Sequence, residues 1–239
     1  MTFINKPLDN LSPQNKYSKL IQEWDRQNSC RRFPKRYFVL KLQGEDANRN
    51  GIFASFELGN KFDMIFRAYI GKIAGLLPPS KLQQKLFRIS GILIEENVFI
   101  APELTIDVVL KYWTKIRKNV AIGVRVSCFN HMFDHNGRII LGYIDIEEGA
   151  SIGAFTVIGP GVRIGKNADI GAEVKIGPGV EIGNNAKIGP GCILAPFVRI
   201  GEGAIIGTCS VVTKNVNSNT KVSGNPAVEI LTSINHAGF

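Results

Sequence analysis

Three histidines are the side chains of this sequence best suited to chemistry near neutral pH, because an unperturbed imidazole titrates with a pKa of about 6.5. His131 and His135 lie in one segment, residues 129–137, whereas His236 lies in the terminal tail. Two histidines in one loop and a third in a tail do not predict the three-histidine zinc site of a metal enzyme. An ordinary exposed side chain is the alternative for each of them.

The segment that contains His131 interrupts a strict repeat. An aliphatic residue recurs at every sixth position from Ile146 to Val212, and a small or β-branched residue stands two positions before most of them. A period of six fits neither an α-helix nor a long strand, so it predicts a parallel β-helix, an all-β solenoid with three sides per coil. Each residue then lies over the one 18 positions earlier, at the strand spacing of about 4.8 Å.

The 18-residue offset makes predictions that can be checked along the sequence. Prolines at 160, 178 and 196 should form one column, and four alternating charges should form another: Asp145, Arg163, Glu181 and Arg199. The repeat also reaches back to about residue 94, with two insertions, residues 107–115 and 129–143. Tyr112 and Trp113 in the first insertion either contact an acceptor ring or pack against the protein.

We divide the chain into a basic, mainly helical segment (1–93), the β-helix (94–230) and a tail (231–239). The first segment has 16 Lys and Arg against 7 Asp and Glu, while the remainder has 13 of each. Apolar residues recur at helical spacing from Phe62 to Leu77, Pro78 and Pro79 end the pattern, and Ser80 is a candidate N-cap. Such a helix either covers the open end of the solenoid or lies on an anionic membrane. Residues 1–60 permit helices, a short hairpin or loops.

Composition narrows the remaining classes of function. The N-terminus has no signal-like apolar stretch and no apolar run approaches a membrane span, which predicts a cytoplasmic protein, with peripheral membrane contact through the basic helices as an option. The four cysteines show no metal-ligand spacing, and we expect all of them to be free. No nucleic-acid-binding module is recognisable, so the net charge of +9 is weak support for a DNA or RNA partner.

Three features together resemble one family: the repeat, the loop around Asn130 and His131, and the closing segments Val211 to Lys214 and Gly224 to Ala227. They are similar to the left-handed β-helix hexapeptide acyltransferases, which include galactoside, maltose and streptogramin-type acetyltransferases. The resemblance implies a left-handed coil, a homotrimer, and acetyl-CoA as the acyl donor, bound in a groove between neighbouring β-helices.

The resemblance also implies roles for residues. His131 matches the general base, with His135 as the alternative, and Asp134 and Asn130 are candidates for orienting the base or holding the acceptor. Ala154 and Ala172 match corner positions that line the CoA groove, and Lys214 matches a lysine near the nucleotide phosphates. This chain departs from shorter members because about four coils separate the histidine loop from Lys214, with Lys166 and Lys187 as substitutes. A second departure is Glu103, which stands where galactoside enzymes have an acceptor-binding Asn.

Three functions remain open at this stage. The first is an acetyl-CoA-dependent O-acetyltransferase acting on a sugar or a polysaccharide precursor. The second is an N-acyltransferase acting on an amino sugar. The third is a structural or metal-binding β-helix without acyltransferase activity.

Overall fold

The computed structural model describes residues 37–41, 61–108, 110–133 and 138–230. Its main body is the predicted parallel β-helix, in which short strands form three flat faces joined at three corners. The described residues make about seven coils, and two helices precede them.

The strands of each face pair in parallel with the strands one coil away. The first face contains β2 (Leu93–Ile94), β5 (Thr114–Ile116), β10 (Ile144–Ile146), β13 (Arg163–Ile164), β16 (Glu181–Ile182) and β19 (Arg199–Ile200). The second face contains β3 (Phe99–Ile100), β6 (Ala121–Ile122), β11 (Ser151–Ile152), β14 (Asp169–Ile170), β17 (Lys187–Ile188), β20 (Ile205–Ile206) and β22 (Lys221–Gly224), with β23 (Ala227–Glu229) antiparallel to β22. The third face contains β4 (Thr105–Ile106), β7 (Ser127–Cys128), β12 (Val157–Ile158), β15 (Lys175–Ile176), β18 (Ile193–Leu194) and β21 (Val211–Val212).

The repeated aliphatic residues form the core, in the register that the sequence predicts. Ile146 lies over Ile164, Ile164 over Ile182 and Ile182 over Ile200, and each of these side chains is at most 2% exposed. The small residues two positions earlier, such as Ala168 and Ala186, are buried as well. A stack of branched side chains therefore runs along the interior of the prism, which is why the six-residue period is kept so strictly.

The corners explain the glycines that follow the repeated aliphatic residues. A Cβ atom added to Gly153 would lie 2.4 Å from the backbone nitrogen of Ala172, one coil later. No side chain fits at that distance, so the close stacking of corners requires glycine at this position. A residue with positive φ follows at the same corner, as at Phe155 and Glu173.

Both predicted surface columns are present. The amide of Gly179 donates to the carbonyl of Pro160 and that of Phe197 to the carbonyl of Pro178, which stacks the three proline corners. The four alternating charges are also in register. Within the column Arg199 pairs with Glu181 at 3.7 Å, whereas Asp145 pairs with Arg117 at 3.1 Å and Arg163 pairs with Glu147 at 2.6 Å.

Two helices cover the N-terminal end of the β-helix. They are α1 (Lys61–Leu76) and α2 (Lys81–Ile89), and the Ser80 side chain accepts a hydrogen bond from the amide of Gln83, as expected for an N-cap. Phe87 of α2 is fully buried and belongs to the same core as Ile94 and Ile100. One of the two options for this segment was to cover the open end of the β-helix, and α2 does so.

The large apolar side chains of α1 are not packed in the core. Its buried positions are Met64, Arg67, Ala74 and Gly75, and the Arg67 guanidinium donates to the carbonyl of Val108. The large apolar side chains are instead exposed: Phe62, Ile65, Phe66, Tyr69, Ile73 and Leu76. The helical spacing was read correctly from the sequence, but the apolar side is not the side that packs on the β-helix.

A three-stranded antiparallel sheet stands at the corner between the third and first faces. It consists of β1 (Tyr37–Lys41), β9 (Arg138–Gly142) and β8 (His131–Phe133), in that order. The second insertion therefore forms a hairpin, and part of the N-terminal segment adds a strand to it. The Tyr37 ring lies 4.9 Å from the ring of Phe197, so this strand also packs along the glycine and proline corners.

The cysteines of the described residues are free, as predicted. Cys128 and Cys192 are fully buried and Cys209 is exposed, while Cys30 lies outside the described residues. Burial raises the pKa of the Cys128 thiol to about 12. Among the residues that the structure describes, no helix is both long and apolar enough to cross a membrane.

The interior stack predicts which isoleucines carry stability. Ile182 is fully buried, whereas Ile193, two strands further on, is 41% exposed. We expect Ile182→Ala to lower the free energy of unfolding by about 2–5 kcal/mol, because it opens a cavity in a stack that cannot collapse around it. The matched control Ile193→Ala should cost less than about 1 kcal/mol. Urea unfolding followed by circular dichroism measures both, and equal losses would contradict the inward stacking.

Candidate active site

His131 lies at the start of the hairpin that leaves the second coil. Its Nδ1 atom contacts the Oδ2 atom of Asp107, and the side chains are 19% and 6% exposed, respectively. The ring also meets Phe133 edge-on, with centroids 5.6 Å apart. A partly accessible imidazole is thus held between a carboxylate and an aromatic ring.

Two successive coils bring this pair together. β4 pairs with β7 so that Ile106 lies beside Cys128, and the amide of Asp107 donates to the carbonyl of Cys128 at 2.9 Å. Asp107 is the first residue after β4, and His131 is the third residue after β7. The backbone register of the third face therefore fixes both groups at the same corner.

Asn130 supports this corner from inside. It is fully buried, and its Nδ2 atom donates to the carbonyl oxygens of Asp107, at 3.2 Å, and Leu110, at 3.4 Å. The Oδ1 atom of Asn130 has no hydrogen-bond partner among the described residues, so the prediction that Asn130 holds an acceptor hydroxyl stays a prediction. Its role is to fix the segment that carries Asp107.

The contact with Asp107 determines which nitrogen of His131 can act as a base. A carboxylate accepts the Nδ1 proton, which leaves the lone pair of the neutral ring on Nε2. The same carboxylate stabilises the imidazolium that forms when Nε2 takes up a proton. The arrangement can accept a proton from a substrate and return it, which is general acid–base chemistry.

The orienting carboxylate is one that we did not identify from the sequence. Asp134, the residue expected to orient the base, and His135, the alternative base, both lie outside the described residues. Asp107 was overlooked because it belongs to the other insertion, 24 residues earlier. The sequence does contain a signal for Asp107. If the four added residues of the first insertion are allowed for, Ile106 aligns with Cys128, and Asp107 then lies one coil before the histidine loop.

Ala154 and Ala172 lie where the corner assignment predicts. They are stacked between the second and third faces, and their carbonyl groups accept hydrogen bonds of 2.8 Å from the amides of Glu173 and Gly191. This corner and the His131 corner lie at opposite edges of the third face. The described part of one chain does not bring the alanines and His131 together.

Lys214 is exposed and lies four coils beyond the histidine loop, at the same corner of the prism. Four strand spacings correspond to about 19 Å along the axis. The sequence-based coil count between these elements is therefore confirmed, and Lys214 does not belong to the immediate surroundings of His131. Lys187, one of the two substitutes, is exposed on β17 of the second face.

The aromatic residues of the first insertion have different environments. Trp113 is 3% exposed and its ring lies 4.4 Å from that of Tyr143, so it packs within the protein rather than facing an acceptor. Tyr112 is exposed, with the ammonium of Lys111 4.9 Å from its ring centroid. Within the described residues, no three His, Cys, Asp or Glu side chains are grouped so as to hold a metal ion.

Comparisons with known proteins agree with the fold. The family model described as bacterial transferase hexapeptide (six repeats) matches residues 143–178 and 179–214. No curated protein sequence matches this chain.

Two solved structures illustrate the likeness. A single-residue variant of AntD, an N-acyltransferase from Bacillus cereus in complex with dTDP-4-amino-4,6-dideoxyglucose and coenzyme A, aligns at 21% identity and a TM-score of 0.53, over 64% of this chain and 90% of its own. A maltose O-acetyltransferase from Clostridium difficile 630 aligns at 18% identity and a TM-score of 0.43, over 71% and 85%. The matched repeats and the fold are similar to those of the hexapeptide-repeat transferases, the family that the sequence resembles.

Proposed function

We propose that this protein is an acetyl-CoA-dependent O-acetyltransferase acting on a sugar or polysaccharide precursor, with His131 as the general base. The observation that carries the proposal is the His131–Asp107 pair at a break in a hexapeptide β-helix. A hydroxyl group is a weak nucleophile at neutral pH, and a positioned imidazole can remove its proton during attack. Asp107 is the positioning residue in this scheme.

The reaction balances with these groups alone. The acceptor oxygen attacks the thioester carbonyl carbon while Nε2 of His131 takes the hydroxyl proton. The tetrahedral intermediate then breaks its carbon–sulfur bond, and the imidazolium returns the proton to the CoA thiolate. The products are the acetyl ester and CoA, and His131 is regenerated as the neutral imidazole.

Acyl transfer to an amine is the second candidate. It is favoured by one specific observation, the likeness to a structure whose enzyme is an N-acyltransferase crystallised with an amino sugar nucleotide. The same base would serve, because an ammonium or amine must also lose a proton during acylation. Acceptor pairs that differ only in a hydroxyl or an amine at one carbon separate the two candidates.

We further propose that a homotrimer completes the site. The Ala154 and Ala172 corner and the His131 corner stand at opposite edges of one face, so a neighbouring chain is needed to place an extended ligand against both. Stacked corners present backbone groups at the strand spacing, which suits the amides of a pantetheine arm. Acetyl-CoA would then lie between two β-helices.

The first prediction concerns the paired residues. We expect His131→Ala to lower kcat by about 10²–10⁴-fold, because the attacking group loses its base, while acetyl-CoA still binds. Asp107→Asn should also lower kcat strongly, because its amide no longer fixes the ring tautomer, and Asp107→Glu should restore part of the rate. Release of CoA with a screened acceptor measures turnover, and calorimetry measures CoA binding.

Two variants serve as comparisons for this experiment. Asp169→Asn removes a carboxylate from the exposed surface of β14 and should leave turnover within about twofold of the original. His135→Ala tests the alternative base directly. Full activity of His131→Ala together with loss in His135→Ala would move the base to the other histidine.

The second prediction concerns the location of CoA. Cys209 directly follows Thr208, which continues the Ala154 and Ala172 corner two coils further on. In a Cys30→Ser background, we expect desulfo-CoA to slow alkylation of the exposed Cys209 at least about tenfold. Cys128 should stay unmodified at pH 8 with or without ligand, because a thiol with a pKa of about 12 has almost no thiolate there. Unchanged alkylation of Cys209 at saturating desulfo-CoA would rule out this corner.

The third prediction tests membrane contact, which we propose from the outward face of α1. Phe66 and Ile73 are 57% and 49% exposed, and the exposed lysines of α1 and α2 favour an anionic surface. We expect the protein to sediment with vesicles of phosphatidylglycerol and phosphatidylcholine, and Phe66→Ser/Ile73→Ser to weaken this at least about tenfold. Val228→Ser, at an exposed residue near the opposite end of the β-helix, is the control. Absence of binding to the anionic vesicles would reject the proposal.

A further inference from the structure

A groove with a volume of about 990 Å³ lies between α1 and the first two coils. Apolar side chains of α1 form one wall, including Ile65, Tyr69 and Leu76. The opposite wall is the outer surface of the third face, where Thr105 and Ser127 contribute hydroxyl groups. The groove is therefore lined mainly by apolar side chains, with Lys72 on its helix side and the hydroxyl groups of Thr105 and Ser127 on its sheet side.

The groove leads to the proposed base. It follows β4 from Glu103, just before the strand, to Asp107, just after it, and both residues line it. Four residues of chain span at most about 14 Å. Since Asp107 also contacts Nδ1 of His131, one end of the groove adjoins the catalytic pair.

The other end is polar but nearly neutral. The Nε atom of Arg125 donates to Oε2 of Glu103 at 2.6 Å, and both residues line the groove. The guanidinium is thus already paired with a carboxylate. Among the described residues that line the groove, Lys72 adds one further cation, which is not the array of cations that nucleotide phosphates require, so CoA is not the ligand that the groove fits.

The apolar wall indicates what does fit. Ile65, Tyr69 and Leu76 are 45%, 67% and 66% exposed, so their apolar surface is available for burial by a ligand. The volume is at the upper end of the range of small-molecule sites, about 300–1,000 Å³. A ligand with an apolar chain against α1 and a hydroxyl-bearing head at Asp107 would match both walls.

We propose that this groove binds the apolar chain of an amphipathic acceptor, such as an alkyl glycoside or glycolipid, and places its sugar hydroxyl at His131. The inference rests on the proposed acyl transfer and names the class of acceptor. Glu103 thereby has a role as one half of the neutral pair that borders the groove. It does not need to replace an acceptor-binding Asn.

The test compares two probes that share a head group. Octyl β-D-glucopyranoside, used below its micelle concentration, and methyl β-D-glucopyranoside differ by seven methylenes. Each methylene buried contributes roughly a fourfold gain in affinity, so burial of four of them predicts at least about 100-fold tighter binding of the octyl compound. Displacement of the fluorescent apolar probe N-phenyl-1-naphthylamine from the full chain measures both affinities.

A variant pair assigns this preference to the groove. Ala68 is exposed on α1 and lines the groove, so Ala68→Trp fills it from the helix side. We expect the octyl affinity to fall at least about tenfold in this variant. Val228→Trp adds the same bulk at a 63% exposed site away from the groove and should change the affinity less than about twofold. Equal responses of the two variants would overturn the assignment.

Other occupants give different results. Equal affinity for the octyl and methyl compounds, or no uptake of the fluorescent probe, would mean that the groove is filled by the protein itself or has no preference for chains. If Ala68→Trp changes the oligomer mass in light scattering and leaves octyl binding intact, the groove is a contact between copies. Each of these results overturns the proposal.

Binding and turnover separate this inference from the proposed function. His131→Ala should retain the octyl preference in the displacement assay, because the apolar wall is intact. Octyl binding in the groove without acetylation of any chain-bearing hydroxyl acceptor would leave the groove assigned and would reject the O-acetyltransferase. Acetylation of sugars with no preference for chain length would support the O-acetyltransferase and would reject the proposed role of the groove.

Discussion

The backbone register between successive coils is the constraint on which the rest of this structure depends. Each amide at a coil edge donates to a carbonyl one coil away, as Gly153 does to Ile170 at 2.7 Å and Gly171 does to Ile188 at 2.8 Å. These bonds hold side chains of neighbouring coils at one strand spacing and leave no freedom to slide, because a shift of one residue would expose the interior aliphatic residues. Any group attached at a corner is therefore positioned along the axis by the backbone.

The contact between His131 and Asp107 depends on this register, although both residues lie in insertions. Both insertions add residues to the coil, yet β4 and β7 keep their pairing, so Asp107 and His131 start from adjacent rungs. The buried amide of Asn130 then ties the first insertion to the second through the carbonyl oxygens of Asp107 and Leu110. The rigidity needed to orient an imidazole comes from the regular part of the fold, and the irregular parts supply the functional groups.

The six-residue repeat made the fold predictable from the sequence. The site lies where the repeat is interrupted, so less of it could be predicted. The 18-residue offset predicts which residues lie above and below Ile164 and Ile182. The same offset gives the number of coils. The partner of His131 could not be found by that rule, because four extra residues separate the rungs and several carboxylates lie near the loop in sequence. The contacts of Asn130 with the first insertion were missed for a similar reason, since sequence position does not show that its side chain is enclosed.

The helix α1 shows where local pattern and tertiary structure diverge. Its apolar spacing is that of a helix that packs on a core, but the packed side includes Gly71, Ala74 and Gly75, and Gly75 allows the backbone to approach Leu104 closely. Small residues bring the helix near the first coil, and the large residues on the other side are thereby left to line the groove or to face outward. Periodicity predicts that a helix is amphipathic, whereas the side that faces the protein depends on how closely its backbone must approach. In this chain the close approach builds one wall of the groove beside Asp107, so the large apolar residues of α1 border that groove or face outward instead of joining the core.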